Sequence, residues 1–366
     1  MTSRAAGTAP VMQLDPVRVL VCDDSAAIRG AVARMLEADP AVHVVARSAN
    51  GRQAVDEVML HLRTGSPVEV VVLDIEMPVM DGLTALPELL RADPSVRVLM
   101  SSSVTVHGAE VALRAVRLGA SDYIAKPGAG AKPDDSFQHD LIAKVKGLAA
   151  TRRRLAGGTG KAATVDLAPP PRRVPQIIAV GSSTGGPQAL FTLMQGLGRH
   201  VPAPVLITQH MPATFTPILA DHLSRIGGIS CTEARDGEVM ASHHAYLAPG
   251  NRHLLVEPGE NGFVARLSDA PAENFCRPAV DPMLRSAAAA TGGRVLAVIL
   301  TGMGHDGLSG AHQVVSRGGG VVAQDEASSV VWGMPGAVVR AGLCYAVAPL
   351  SAIAGHVLNA FHAVRP

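Results

Sequence analysis

The sequence predicts an α/β protein built from two parallel-sheet units joined by a linker. Short runs rich in Val, Leu and Ile alternate with amphipathic helical patterns through most of the chain. The runs are apolar on both faces, as strands covered on both sides of a sheet must be, VEVVVLDI being the plainest. A stretch rich in Gly, Ala and Pro and without periodicity, AGGTGKAATVDLAPPPRRVP, separates two such alternations. With 366 residues, each unit is long enough to bury its own core.

Taken in order, residues 1–16 (MTSRAAGTAPVMQLDP) lack the continuous apolar core of a signal peptide and are expected to be a loose tail. Residues 17–155 hold five strand runs, VRVLVCD, VHVVARS, VEVVVLDI, VRVLMSS and SDYIAKP, with helical patterns between them. A fifth helix is expected after them, because Phe137, Leu141, Ile142, Val145 and Leu148 fall at helical spacing. Residues 156–174 read as the linker. Residues 175–366 hold six further runs, QIIAV, PVLITQ, AYLAP, RVLAVIL, GGVVAQD and CYAVA, and predict a second, doubly wound sheet.

The formal net charge of +1 and the single Trp argue against a nucleic-acid surface, which would want a basic face with stacking aromatics. Small molecules or proteins are the expected partners. Cys22, Cys231, Cys276 and Cys344 lie far apart with no CxxC pair, which fits a reducing cytoplasm rather than a zinc ribbon or a disulfide framework. No run approaches the ~20 apolar residues of a membrane span, so no membrane insertion is expected.

In the first unit, Asp23 and Asp24 end the first strand and Asp74 ends the third. The carboxyl ends of an open parallel sheet converge on one crevice. Three like charges there repel unless a cation sits among them, and carboxylate oxygens with waters suit Mg²⁺. Such an ion would also neutralise a phosphoryl group passing to one carboxylate. Ser102, past the fourth strand, and Lys126, past the fifth, supply the hydroxyl and ammonium that an acyl phosphate's oxygens need, with Pro127 stiffening the turn. This pattern, with MPVMDG following Asp74, resembles the two-component receiver family and its five-stranded flavodoxin-like sheet. The resemblance implies that Asp74 is phosphorylated and that Asp23, Asp24 and Asp74 hold Mg²⁺ with the backbone carbonyl of Glu76. It further implies that Ser102 and Lys126 sense the phosphate and that Tyr123 is the aromatic that reorients on activation.

In the second unit, IIAV runs into Gly181-Ser182-Ser183-Thr184-Gly185-Gly186 and then a helical pattern. This satisfies G-x-S-x-G with Ser183 at the centre, the turn that exposes a nucleophilic serine at the head of a sheet. Backbone N–H groups at the helix start would face a developing oxyanion. Gly-rich turns also bind phosphates, but a dinucleotide fingerprint needs Gly at 183 and a Walker motif needs Gly-Lys-Ser/Thr. His210 follows the next run and Asp306 follows RVLAVIL in TGMGHDG, so three strand ends can converge on a base, an orienter and a nucleophile. Spacing alone does not single His210 out among fourteen histidines.

The segments GSSTGGP, TQHMP, NFCRPAVDPMLRS, LTGMGHDG and QDEASSVVWGMPGA resemble the chemotaxis methylesterase (CheB) family, from about Gln176 to Val364. The resemblance implies Ser183 as nucleophile, His210 as base, Asp306 as its orienter, and Thr184 and Met303 beside the oxyanion. It implies hydrolysis of glutamyl γ-methyl esters on methyl-accepting chemotaxis receptors, often deamidation of receptor glutamines, a chemotaxis histidine kinase as phosphodonor, and no cofactor for the ester chemistry. Without phosphate the receiver is expected to cover the catalytic cleft. The rival expectation is a non-enzymatic response regulator whose second unit binds a phosphorylated ligand. His305 is a weaker candidate base, and His243, His244 and His253 lack metal-site spacing. Arg277, Asp281 and Arg285 could shape an acidic cleft or pair as surface charges. Met211, Met283, Met303 and Met334 could line a groove or pack in the core.

Overall fold

The structure is a computed structural model and describes residues 15–126, 135–156 and 167–362. Residues 1–14 of the expected tail, Pro127, residues 157–166 of the expected linker, and Val364 lie outside the described residues.

In the first unit β1 (Val17–Cys22), β2 (Val42–Ser48), β3 (Val70–Asp74), β4 (Arg97–Ser102) and β5 (Asp122–Ala125) alternate with α1 (Ala26–Glu37), α2 (Gly51–Arg63), α3 (Gly82–Ala92), α4 (Val106–Arg117) and α5 (Asp135–Ala156). The sheet is parallel throughout, in the order β2-β1-β3-β4-β5. After β1 the chain goes to one side for β2 and to the other for β3. The carboxyl ends of β1 and β3 therefore flank the point where the winding reverses, the ligand position of open α/β sheets. Every residue of β3 is buried, which is why its sequence shows no alternation. Helices α1 to α4 each start on a side-chain cap, Ser25, Asn50, Asp81 and Thr105, accepting from an N–H three residues on.

The second unit runs β6 (Ile177–Ser182), α6 (Gly186–Leu197), β7 (Val205–Gln209), α7 (Thr216–Gly227), β8 (Ser230–Glu233), β9 (His244–Leu247), β10 (His253–Gly259), β11 (Gly262–Ser268), α8 (Val280–Ala290), β12 (Val295–Ile299), α9 (Leu308–Ser316), β13 (Gly320–Gln324), α10 (Met334–Arg340), β14 (Ala346–Ala348) and α11 (Leu350–Asn359). Seven strands form a parallel sheet in the order β14-β13-β12-β6-β7-β9-β8. β7 and β12 lie on opposite sides of β6, which makes a second winding reversal at the carboxyl end of β6. Helices α6 to α11 carry no side-chain cap of their own, so their N-terminal N–H groups are open to other partners.

All six expected strands are present, and the structure adds three more. β8 is a short edge strand of sequence SCTE in which only Cys231 is buried, too polar to stand out. β10 and β11 form an antiparallel hairpin whose turn is bracketed by Gly259 and Gly262. Those glycines mark the turn in sequence, but Pro258 within the run obscures its strand character.

The two units share buried surface. Helix α4 packs on α6 and α7, and one buried cluster runs from Met100, Val116 and Tyr123 to Phe191, Phe215 and Leu219. The Tyr123 ring stacks on Phe215 with centroids 4.6 Å apart and planes 11° apart. Along α5, the Thr151 hydroxyl donates to the Val330 carbonyl, and Arg154 reaches Glu326 and the Ser329 carbonyl, both at 3.2 Å. The last stretch of the expected linker lies along the second unit, with Ala168 N–H donating to the Cys344 carbonyl at 2.8 Å and Pro171 buried beside Gly320. Among the described residues, no helix is long and apolar enough to cross a membrane.

Candidate active site

The first winding reversal gathers Asp23, Asp24 and Asp74, with one ligand oxygen from each within 4.8 Å of the others. Lys126 Nζ stands between two of them, 2.8 Å from Asp23 Oδ2 and 2.7 Å from Asp74 Oδ1. Burial raises the Asp74 carboxyl above its ordinary range, partly offset by the ammonium. Burial would lower Lys126, but its hydrogen bonds to Asp23 and Asp74 outweigh this and hold it above the usual lysine value. The ammonium thus occupies a position built for positive charge. Asp24 and Glu76 also line a cleft of about 580 Å³, and the Glu76 carbonyl accepts no hydrogen bond among the described residues. Three carboxylates and a free carbonyl beside an open cleft fit a hard divalent cation. Ser102 is fully buried, and its hydroxyl donates to the Gly108 carbonyl at 2.7 Å in the first turn of α4. Tyr123 is buried in the contact with Phe215.

The second winding reversal sets Ser183 after β6, His210 after β7 and Asp306 beyond β12. Backbone hydrogen bonds hold the first two level: Ser183 N–H donates to Thr301 O at 3.0 Å, and His210 N–H donates to Ser182 O at 3.2 Å. Ser182 is fully buried with its hydroxyl on Gln209 Oε1 at 2.7 Å, whereas Ser183 is half-buried. His210 Nε2 lies 2.8 Å from Asp306 Oδ2. An ionised carboxylate only accepts, so this contact fixes a proton on Nε2 and assigns proton exchange to Nδ1. Nδ1 faces the Cys276 thiol at 3.4 Å, and the Ser183 hydroxyl makes no hydrogen bond among the described residues. Ser183 and His210 thus follow paired strands with no hydrogen bond between their side chains, as is common at a candidate site before substrate binds.

Asp306 is buried and saturated with donors. It accepts from Val280 N–H at 2.6 Å, Asp281 N–H at 3.0 Å, Gly307 N–H at 2.9 Å and Asn274 Nδ2 at 3.0 Å. Its carboxylate thereby caps α8, which has no cap of its own. Burial would raise its pKa, but His210 and these N–H groups lower it, so the charge persists. Burial likewise opposes the charged form of His210, yet the hydrogen bonds to Asp306 and Cys276 hold the imidazole above its ordinary range. The N–H groups of Thr184 and Met303 have no protein partner among the described residues and are open to an oxyanion. Gly302 lets the loop carrying Met303 approach Ser183, since a Cβ there would sit 2.9 Å from Ser183 Cβ.

The CheB methylesterase family profile matches residues 178–357, and that of the response regulator receiver domain matches residues 19–133. A Rhodospirillum centenum protein named protein-glutamate methylesterase/protein-glutamine glutaminase of group 2 operon is 52% identical, covering 93% of this chain and 92% of its own length. The chain belongs to the CheB methylesterase family. A Rhodospirillum rubrum protein-glutamate methylesterase/protein-glutamine glutaminase 1 is 48% identical over 94% of this chain and 95% of its own. The crystal structure of the Thermotoga maritima CheB methylesterase catalytic domain is 38% identical, covers 51% of this chain and 99% of its own, and superimposes with a TM-score of 0.50.

Within this CheB methylesterase the fold gives contacts to the residues whose sequence reading is ambiguous. His305 is exposed, and its side chain is not among the hydrogen-bond partners of Asp306 in the described residues. Arg277 donates to the Asp269 and Ala270 carbonyls, Arg285 pairs with Glu273 at 2.6 Å, and Asp281 accepts from Gly310 N–H at 2.6 Å, so all three brace loops. Met211, Met283 and Met334 are core residues, and only Met303 is half-exposed. Gln209 is a supporting residue that sequence reasoning missed, although it adjoins the candidate base. Its Nε2 donates to Ser183 O at 2.9 Å and to His210 O at 3.1 Å. A buried amide at a strand end beside a candidate histidine was the available signal. Thr301 and Asn274 were also missed as individual residues, although they lie in the LTGMGHDG and NFCRPAVDPMLRS segments.

Proposed function

We propose that this chain is a phosphorylation-regulated serine hydrolase that demethylates glutamyl γ-methyl esters on methyl-accepting chemotaxis receptors and deamidates receptor glutamines. The single observation that carries this is the buried His210–Asp306 pair at 2.8 Å, set at the strand ends that flank Ser183. His210 Nδ1 takes the Ser183 proton as Oγ attacks the ester carbonyl, and the N–H groups of Thr184 and Met303 stabilise the oxyanion. The proton passes to the departing methoxide, methanol leaves, and an acyl-enzyme remains. Water, deprotonated by the same imidazole, then releases the glutamate and regenerates Ser183. For glutamine the leaving group is ammonia, with the same tetrahedral intermediate. Asp306 holds the ring in the tautomer that keeps Nδ1 available and stabilises the imidazolium.

Residues 17–155 act as the receiver, 156–174 as the linker and 175–366 as the catalytic unit, following a tail of residues 1–16, in a cytoplasmic protein. Asp74 accepts a phosphoryl group from a chemotaxis histidine kinase. Asp23, Asp24, Asp74 and the Glu76 carbonyl would hold Mg²⁺, which supplies charge neutralisation for that transfer. Lys126 holds Asp23 and Asp74 in place, and Ser102 leaves Gly108 to meet the phosphate. That movement shifts the start of α4, which is packed on α6 and α7, and frees Tyr123 from Phe215. The same separation releases α5 from Val330 and Val331. The latter segment is tied to Thr301 and Gly302, beside Ser183.

The test is methanol release from methylated receptor fragments. Wild type should release methanol and Ser183→Ala should not. Full turnover by Ser183→Ala would overturn the nucleophile, and no release by folded wild type on a cognate receptor would return the second unit to a ligand-binding role.

A further inference from the structure

Between β11 and α8 the chain makes a tight turn at residues 273–276. Glu273 and Cys276 exchange backbone hydrogen bonds of 3.1 and 2.9 Å, which leaves Asn274 and Phe275 at the tip. Both tip residues have positive φ, +53° and +63°. Asn tolerates that region, but the second position is where glycine is the default, and a phenylalanine Cβ is unfavourable there. The ring brings the fold no compensating burial, because Phe275 is 98% exposed. Its nearest aromatic is His139 on α5, with centroids 6.3 Å apart.

The turn is nonetheless bound to the catalytic pair on both sides of this residue. Asn274 Nδ2 donates to Asp306 Oδ1 and to Asp281 Oδ2, each at 3.0 Å, and the Cys276 thiol meets His210 Nδ1 at 3.4 Å. The Glu273–Arg285 pair at 2.6 Å fixes its base. A strained backbone and a solvated aromatic thus coincide at one residue, held at fixed distance from the base and its orienter. Such a coincidence marks a contact made with something outside the chain.

We propose that Phe275 is a specificity-determining residue that seats the protein substrate, packing on apolar side chains that flank the esterified glutamate on the receptor. The proposal rests on the methylesterase reading above. A glutamyl ester projects only a short way from its own backbone, so the surface carrying it must come to the rim of the site. A rigid aromatic there gains contact area at little cost in side-chain freedom. A small ester has no flanking residues and gains nothing from the ring.

The experiment compares receptor and small-ester substrates in the full-length protein. Methanol release from a methylated receptor fragment and hydrolysis of p-nitrophenyl acetate are measured for wild type, Phe275→Gly, Phe275→Ala and Phe275→Tyr. Glycine suits the positive φ, so Phe275→Gly should fold at least as stably as wild type. The expected result is a fall of about tenfold or more in the ratio of receptor to small-ester kcat/KM for the Gly and Ala variants. It should come through receptor KM, with the ratio kept in Phe275→Tyr. A ratio within twofold of wild type in Phe275→Gly, with wild type active on the receptor, overturns the proposal and leaves the methylesterase reading intact. Wild type that releases no methanol from a cognate receptor overturns both.

Discussion

Tyr123 on β5 of the receiver and Phe215 at the start of α7 stack nearly parallel, with centroids 4.6 Å apart, inside a buried cluster common to both units. The receiver residue expected to move on phosphorylation is thus held against the catalytic unit. An aromatic stack of this kind contributes about 1 kcal/mol beyond its buried area, roughly a fivefold shift in a two-state equilibrium. Tyr123→Ala should therefore raise methanol release without phosphodonor by about fivefold or more. Unchanged unstimulated activity in a folded variant would remove the stack from the regulatory contact.

The ion triangle of Asp23, Lys126 and Asp74 makes a second prediction. Asp74→Asn should lose both phosphoryl incorporation from a small acyl phosphate and the stimulation that follows it. Chelation of divalent cations should have the same effect on wild type, because three clustered carboxylates cannot accept more negative charge without a cation. Hydrolysis in the absence of phosphodonor should survive chelation, since the mechanism proposed for Ser183, His210 and Asp306 uses no ion.

The pair formed by His210 and Asp306 sets the pH dependence. Burial would lower the imidazole's pKa, but the hydrogen bonds to Asp306 and Cys276 raise it from 6.5 to about 10. Only the form with Nδ1 unprotonated can take the Ser183 proton, so kcat/KM should rise with pH along a limb centred above 6.5. Asp306→Asn removes the charge that raises the pKa, so that limb should move to lower pH while kcat falls by about 10,000-fold. A limb that stays in place in Asp306→Asn would separate Asp306 from the base.

Gly302 faces Ser183, the proposed nucleophile, from the neighbouring strand end. A Cβ at this position would lie 2.4 Å from Met334 Sδ and 3.1 Å from Ser183 N, and the backbone on that side leaves little room for relief. Gly302→Ala should push the Met303 loop away from Ser183 and lower kcat about 100-fold or more, since displacements near 1 Å at a reacting centre have effects of that order. Steady-state kinetics, with a thermal melt to confirm folding, would check it.

Much of this arrangement is legible from the chain because strand ends are. Asp23, Asp24, Asp74, Ser183, His210 and Asp306 each follow an uninterrupted apolar run, and a run buried on both faces locates its own terminus. Strand order is less legible, and so is everything that the termini touch. Ser102 sits where expected, but its hydroxyl serves Gly108, a choice made by the first turn of α4 rather than by its own strand. Asp306 caps α8 from a distance, and the bare N-terminus of that helix is the only trace of this in sequence. The turn at residues 273–276 escapes notice because its tip carries Phe275 where a turn would announce itself with glycine. Arg277, Asp281 and Arg285 are ambiguous in sequence because their partners are backbone groups and a glutamate and an asparagine brought in by that same turn.

The proposed mechanism has a Ser183 nucleophile whose access is controlled from Asp74. The most direct test of that control is the rate at which a fluorophosphonate labels the protein, read by peptide mass spectrometry with and without an acyl phosphate and Mg²⁺. The prediction is labelling at Ser183, faster with the phosphodonor in wild type and insensitive to it in Asp74→Asn. Labelling at another residue would contradict the nucleophile, and a Ser183 rate that ignores the phosphodonor in wild type would contradict the control.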